Sequence, residues 1–226
     1  MTPIRYENID AIPVAVDCII FGFHDNNLEL LLIHRRIEPE KDKWSLMGGF
    51  VNKEEDLDVA AARVLKDLTG LTDLYMEQVS AFGKVGRDPG GRVISITYYA
   101  LIRKDQYDEA LVEQHNASWF PLGELPEMIF DHKDMTEAAL AKLRRKVKTE
   151  PIGFNLLPEK FTLPQLQALY EAILAEPLDK RNFRKKLAAL DVLVKLEEKD
   201  KGSSKRGAFL YRFDQERYTD SAGFSL

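Results

Sequence analysis

The residues of the first half that could do chemistry are gathered between Trp44 and Leu71: a Gly48-Gly49 backbone, the acids Glu55 and Asp67, and the base Arg63. Acids near a basic side chain could hold a divalent ion for hydrolysis, and Mg²⁺ demands an octahedron of oxygens drawn from carboxylates, water and substrate. If residues 58–69 form a helix, Arg63 and Asp67 lie one turn apart on one face, while Val64 and Leu68 make an adjoining apolar stripe. Two acids, Glu55 and Asp67, would hold the ion weakly and leave charge on a leaving group poorly neutralised. The stripe therefore reads as core packing, and a structural helix that keeps the fold is expected in place of a metal centre. A cleft can outlive its chemistry, because fold and function separate. Trp44 beside Gly48 and Gly49, together with Arg36, Lys43, Phe82, Arg87 and Arg92, offers stacking surface and hydrogen-bond donors for a small effector. Taken singly, each is more often surface or core than ligand contact.

The run Lys180-Arg181-Asn182-Phe183-Arg184-Lys185-Lys186 offers a different chemistry. At about 100° per helical residue, with Phe183 turned to the core, Arg181, Arg184 and Lys185 project outward and Lys180, Asn182 and Lys186 flank the apolar stripe. This is the shape of a recognition helix, whose buried edge packs on a preceding helix while its basic face enters the major groove. Arginine pairs bidentately with guanine and asparagine with adenine, so Arg181, Asn182 and Arg184 are the candidates for reading bases. Lys185 and Lys186, with Lys201, Lys205 and Arg206 further on, fit phosphates, which position a protein without specifying sequence. A solvated cationic face on a dimerisation helix would give the same run.

The elements that must hold these residues fall into two textures. Residues 14–23 and 28–35 read as strands of a hairpin, 58–69 as an amphipathic helix with Gly70 at its end, 74–79 and 92–102 as strands around the turn Arg87-Asp88-Pro89-Gly90-Gly91, and 134–147 as a closing helix. Residues 149–160 carry two prolines and a glycine and read as the boundary between domains 1–149 and 150–226. Beyond it, Thr162 caps one helix, Pro177 ends it, Asp179 caps the next, and residues 192–196 and 208–213 form a hairpin around a basic tip. Helix, turn, helix and hairpin in that order predict a winged module.

The total charge of −5 argues against a nucleic-acid binder until the chain is divided. Residues 151–226 hold 13 cationic against 11 acidic side chains, which leaves +2 there and −7 on the first part. Residues 180–212 are more basic still, with 11 against 4, so a polyanion would be met by the second part. The most apolar early stretch spans ten residues and includes Asp17, too short for the roughly 20 that cross a bilayer. Arg5, Glu7 and Asp10 interrupt the N-terminus, so no signal peptide and a cytoplasmic location are expected. The single cysteine, Cys18, sits in a strand and reads as a buried structural thiol.

The stretch from Trp44 to Leu71 resembles the Nudix signature: the spacing from Gly49 to Glu55, Arg63 and Gly70 fits, while the three positions at which catalytic Nudix proteins carry metal-binding glutamates hold Val64, Asp67 and Leu68. Over nearly the full length, runs such as Arg87-Asp88-Pro89, Trp119-Phe120-Pro121-Leu122, Phe130-Asp131-His132 and Leu156-Leu157-Pro158 are similar to those of the Nudix-related transcriptional regulators. The resemblance implies an α+β chain, with a Nudix-like sandwich on a mixed sheet followed by a winged helix-turn-helix. It implies no resident cofactor, a homodimer, a double-stranded DNA operator of two-fold symmetry, and an effector that is ADP-ribose (regulation of NAD metabolism) or a pentose (regulation of sugar catabolism). The general likeness favours the sugar-responsive branch, with arabinose as effector of a repressor. A Nudix hydrolase of ADP-ribose-like diphosphates is the rival, and a sensor that binds a protein partner through its winged module is a third reading.

Overall fold

The computed structural model describes residues 10–72, 74–103, 109–200, 207–214 and 217. Its first part is built on β1 (Val14–His24), whose alternate residues are apolar on both faces and therefore need cover on both sides. Asp25 and Asn26, both at positive φ, turn the chain into β2 (Asn27–His34), the pairing that a tight hairpin requires. β3 (Trp44–Ser45), β4 (Met47–Phe50), β5 (Tyr75–Phe82), β6 (Ile94–Leu101) and β7 (Ala117–Pro121) complete a seven-stranded sheet. Its main path runs β3-β2-β1-β6-β5, with β4 on the first half of β1 and β7 on β2. Only β1 and β6 are parallel, so the sheet is mixed.

Helix α1 (Leu57–Thr69) covers one face through Ala60, Ala61, Val64, Leu65 and Leu68, and ends at Gly70 with φ 72°. Cys18 is buried on this side, and burial raises its thiol pKa far above the ordinary range. A short α2 (Glu109–Gln114) follows β6. Helix α3 (His132–Thr149) covers the other face with Met135, Ala139, Leu143 and Val147. Strands β3, β4 and β7 and helix α2 go beyond the elements expected from periodicity, because they are too short or too glycine-rich to show one.

The second part is the expected winged module. α4 (Leu163–Leu174) opens with a capping box in which Thr162 and Gln165 satisfy one another's backbone amides, worth about 1 kcal/mol. α5 (Lys180–Leu190) follows, and β8 (Phe161–Thr162), β9 (Leu193–Asp200) and β10 (Ala208–Phe213) form a three-stranded sheet in the order β8-β10-β9. Residues 149–160, expected as the boundary between the two domains, are themselves packed: Ile152, Phe154, Leu156 and Leu157 are all buried, and one apolar cluster runs from Ile19 and Phe21 of the sheet through α3 to Leu169, Ile173 and Phe183. Among the described residues no helix is long and apolar enough to cross a membrane.

A compact ionic cluster ties α3 to the sheet. Glu77 on β5 takes the ammonium groups of Lys142 and Lys146 at 2.9 and 2.6 Å and the hydroxyls of Tyr75 and Tyr99 at 2.9 Å. Burial pushes the Glu77 carboxyl up, but the bonds from Lys146, Lys142 and the two tyrosines overcome it and hold its pKa at about 2. Because the folded value lies below the ordinary 4.5, this contribution is complete above pH 4.5 and is lost as pH falls towards 2. Glu77→Gln is expected to lower stability by roughly 1.5–3 kcal/mol at neutral pH, read as a reduced urea midpoint at unchanged slope. The gap from the parent protein should narrow as pH drops below 4.5.

Candidate functional site

The Gly48-Gly49 strand is held between two layers. Gly48 pairs with Asp17 of β1, and a Cβ there would collide with the Asp17 carboxylate. A Cβ on Gly49 would stand 3.0 Å from a Val64 methyl. The loop between β4 and α1 is closed by Glu55, which accepts from the Asn52 amide at 2.7 Å and from Arg63 at 2.6 and 3.0 Å, while Arg63 also donates to the Phe50 carbonyl at 2.9 Å. The Arg63 guanidinium and the Asn52 amide hold the Glu55 carboxyl at about 2. Val64 and Leu68 are buried in the core beneath α1, and Asp67 is exposed to solvent. A divalent ion does not fit these donors: Glu55 is spent on Arg63, and the space beside Gly49 is filled by a valine methyl. Among the described residues no three His, Cys, Asp or Glu side chains are grouped so as to hold a metal.

The residues expected to line an effector cleft are distributed around this end of the sheet. Trp44 is half-buried, edge-on to His34 at 5.1 Å and to Phe120 at 4.7 Å. Arg36 is bonded to Asn116 and Lys43 to Glu40, both on the surface. Phe82 packs against the core, and Arg92 is exposed, donating to the Gly83 carbonyl at 2.9 Å. The loops at residues 35–43 and 83–93 meet, since a Cβ on Gly90 would touch Pro39 at 3.5 Å.

Arg87 corrects its expectation as a free donor in the cleft. It is only 8% exposed and forms a two-pronged pair with Asp131 at 2.6 and 2.9 Å. A guanidinium that deep must be paired, and Asp131 supplies the partner. Its other neighbour is Asp17, 3.9 Å away, which accepts from Ser95 at 2.5 Å. His132 lies beside them, with Nδ1 accepting from the Leu46 amide at 3.0 Å. Burial lowers its pKa from the ordinary 6.5, and because Nδ1 accepts that amide the ring proton sits on Nε2. Composition and spacing gave no sign of this cluster, whose members come from β1, β6, a loop and the start of α3.

The basic helix emerges as expected. α5 is capped by Asp179, which accepts from the Asn182 amide at 2.7 Å. The turn before it is fastened by Glu171, which accepts from the Leu178 amide at 2.9 Å, and by Gln167, which donates to the Leu178 carbonyl at 3.1 Å. Phe183 and Leu187 are buried, with Phe183 edge-on to Tyr170 at 5.4 Å. Lys180, Arg181, Asn182, Arg184 and Lys185 are exposed on the outer side, and Lys186 is half-buried. Lys201, Lys205 and Arg206 lie outside the described residues. The wing strands add two cations not singled out before: Lys195 and Lys199 stand over the Phe209 ring at 3.6 and 4.5 Å.

Comparison with known proteins follows the same division. The NUDIX domain family matches residues 11–139, and the family described as the NrtR DNA-binding winged helix domain matches residues 153–213. The chain is 35% identical, over 91% of its length and 83% of the relative's, to the ADPR responsive transcriptional repressor NtrR of Acinetobacter baylyi. It superposes on the crystal structure of Shewanella oneidensis NrtR complexed with a 27mer DNA with a TM-score of 0.84 and 28% identity, covering 94% of this chain and 99% of that one. The NUDIX domain of the same Shewanella protein, complexed with ADP ribose, matches 62% of this chain and 94% of its own with a TM-score of 0.53 and 27% identity. With both halves matched in this order and a full-length regulator so similar, the protein belongs to the NrtR family of regulators, in which a Nudix domain precedes a DNA-binding winged helix.

Proposed function

We propose that this protein is an ADP-ribose-responsive transcriptional repressor, whose Nudix domain binds its effector without hydrolysing it. The observation that carries the reading is the combination in one chain of an exposed basic helix with a Nudix helix in which two of the three metal-ligand positions, Val64 and Leu68, are aliphatic and buried in the core, leaving Asp67 as the one acid. The expectation of a pentose such as arabinose, and of sugar-catabolism genes as targets, gives way to its alternative. The Acinetobacter relative is described as ADPR responsive, and the Shewanella Nudix domain as complexed with ADP ribose.

The effector is received at the Gly48-Gly49 end of the sheet. Trp44 offers an aromatic face, Arg36 and Lys43 lie on one bordering loop, and Phe82 and Arg92 border the facing loop. Surface pairs such as Lys43 with Glu40 are worth little and are readily exchanged for a diphosphate. The operator is gripped by α5. Arg181, Asn182 and Arg184 face base edges, while Lys180, Lys185 and Lys186 and the wing cations Lys201, Lys205 and Arg206 meet phosphates. Two protomers holding their α5 helices about 34 Å apart would enter successive major grooves of a two-fold operator.

Arg184→Ala is expected to cost about 1–3 kcal/mol of operator affinity and to relax preference at one base-pair position. Competition titrations against single-base operator variants measure this; equal losses on all sequences would reassign Arg184 to a phosphate. In a thermal-shift assay, ADP-ribose at about 100 times its dissociation constant should add about 2.7 kcal/mol to the native state and raise Tm, whereas arabinose should leave it unchanged. A rise with arabinose alone would restore the sugar reading.

A further inference from the structure

The geometry points to Asp131 and His132, at the start of α3, as positioning residues that carry the state of the effector end to the DNA-reading helices. The inference rests on the effector site proposed above and adds the route by which it reaches the operator.

The first half of the case is what α3 holds at its N-terminus. His132 Nδ1 takes the amide of Leu46, the residue between β3 and β4 and two positions before Gly48. Asp131 holds Arg87, on the loop between β5 and β6, through two bonds. Asp17 lies 3.9 Å from Arg87 and 4.0 Å from His132, directly behind the Gly48 backbone. Arg87, Asp17, Ser95 and His132 are all buried. With His132 neutral, two carboxylates share one guanidinium. A diphosphate arriving on the Gly48-Gly49 strand adds negative charge beside a cluster already short of cations, in a setting with little water to screen it. The cluster answers by turning Arg87 toward the ligand or by moving Asp131 away, and either motion shifts the start of α3.

The second half is what α3 holds at its other end. Arg144 donates to the carbonyl of Ile173 in the last turn of α4 at 2.7 Å, and Lys148 faces Glu176 at 3.8 Å. α4 in turn carries α5 through Tyr170 and Phe183 and through the Glu171 bond to the turn. Between these ends α3 spans 18 residues, about 27 Å at 1.5 Å per residue. Along that span Ala139, Leu143 and Val147 are fully buried, and Glu77 binds Lys142 and Lys146. Close packing of this kind does not absorb a displacement at one end but passes it along as a rigid shift.

The test is the coupling between ligands in the full-length protein. ADP-ribose affinity is measured with and without operator, and operator affinity with and without ADP-ribose. In the parent protein each should change the other by the same factor, within the range of about 5- to 150-fold. Asp131→Asn should keep ADP-ribose affinity in the free protein within about threefold of the parent and lower the coupling factor below about twofold. Arg144→Gln, at the far end, should do the same, and gives an independent reading if Asp131→Asn fails to fold. Lys133→Ala, on the exposed side of α3, should leave coupling intact. A purely structural role would lower Tm and leave the coupling factor alone, so parental coupling in both Asp131→Asn and Arg144→Gln overturns the inference. Absence of ADP-ribose binding in the parent protein would instead overturn the proposed effector.

Discussion

The contact on which the rest of the molecule depends is the seam between α3 and its two neighbours, the sheet on one side and α4 on the other. Leu143 and Val147 of α3, Ile152 and Phe154 of the crossing segment, and Leu169, Tyr170 and Ile173 of α4 belong to one buried cluster. Apolar area removed from water at such a seam stabilises by roughly 25 cal/mol per Å², and in this chain the gain is shared by both domains. The winged module is therefore seated on the Nudix domain, with α3 and α4 packed into the same cluster. Polar contacts refine the seat: the Tyr170 hydroxyl donates to the Ile152 carbonyl at 3.1 Å, and Arg144 caps the end of α4. A regulator needs this kind of connection, because a reading head on a slack tether would not register what the sensor binds.

Two of the three signature positions on the Nudix helix are taken up by packing. In the signature, positions 64, 67 and 68 supply carboxylates to a metal; in this chain Val64 and Leu68 extend the core that Met47, Ile20 and Leu65 begin. The surrounding architecture is retained, since Arg63 and Glu55 still lock the loop and Gly49 still has no side chain where the helix approaches. Aliphatic side chains at two of the three signature positions leave fewer carboxylates for charge neutralisation at a diphosphate, the step on which hydrolysis depends.

Much of this was legible from the residues. The alternation in β1 and β2, the stripe Ala61, Val64, Leu65 and Leu68, the caps Thr162 and Asp179, and the outward cations of α5 are local patterns, and local patterns survive into the fold. The departures have physical causes. Residues 149–160 look like a spacer because Pro151, Gly153 and Pro158 interrupt them, yet their intervening apolar side chains are buried against α3 and α4, a tertiary fact that no period encodes. Arg87 looks like a surface cation on a glycine-rich turn, and its carboxylate lies 44 residues away. The proposed effector end is harder to read than the basic face for the same reason: one helix presents the basic surface, whereas the other end assembles residues from two loops, five strands and a helix start.

On the proposed function, this protein recognises ADP-ribose without consuming it and answers by letting go of DNA. One experiment joins both parts: labelled operator bound to the full-length protein is titrated with ADP-ribose in the presence of Mg²⁺, operator release is followed by fluorescence anisotropy, and the nucleotide in the same samples is separated by chromatography. The account predicts complete release with ADP-ribose recovered intact. Release that requires prior cleavage to AMP and ribose 5-phosphate, or an operator that stays bound at saturating ADP-ribose, would contradict it.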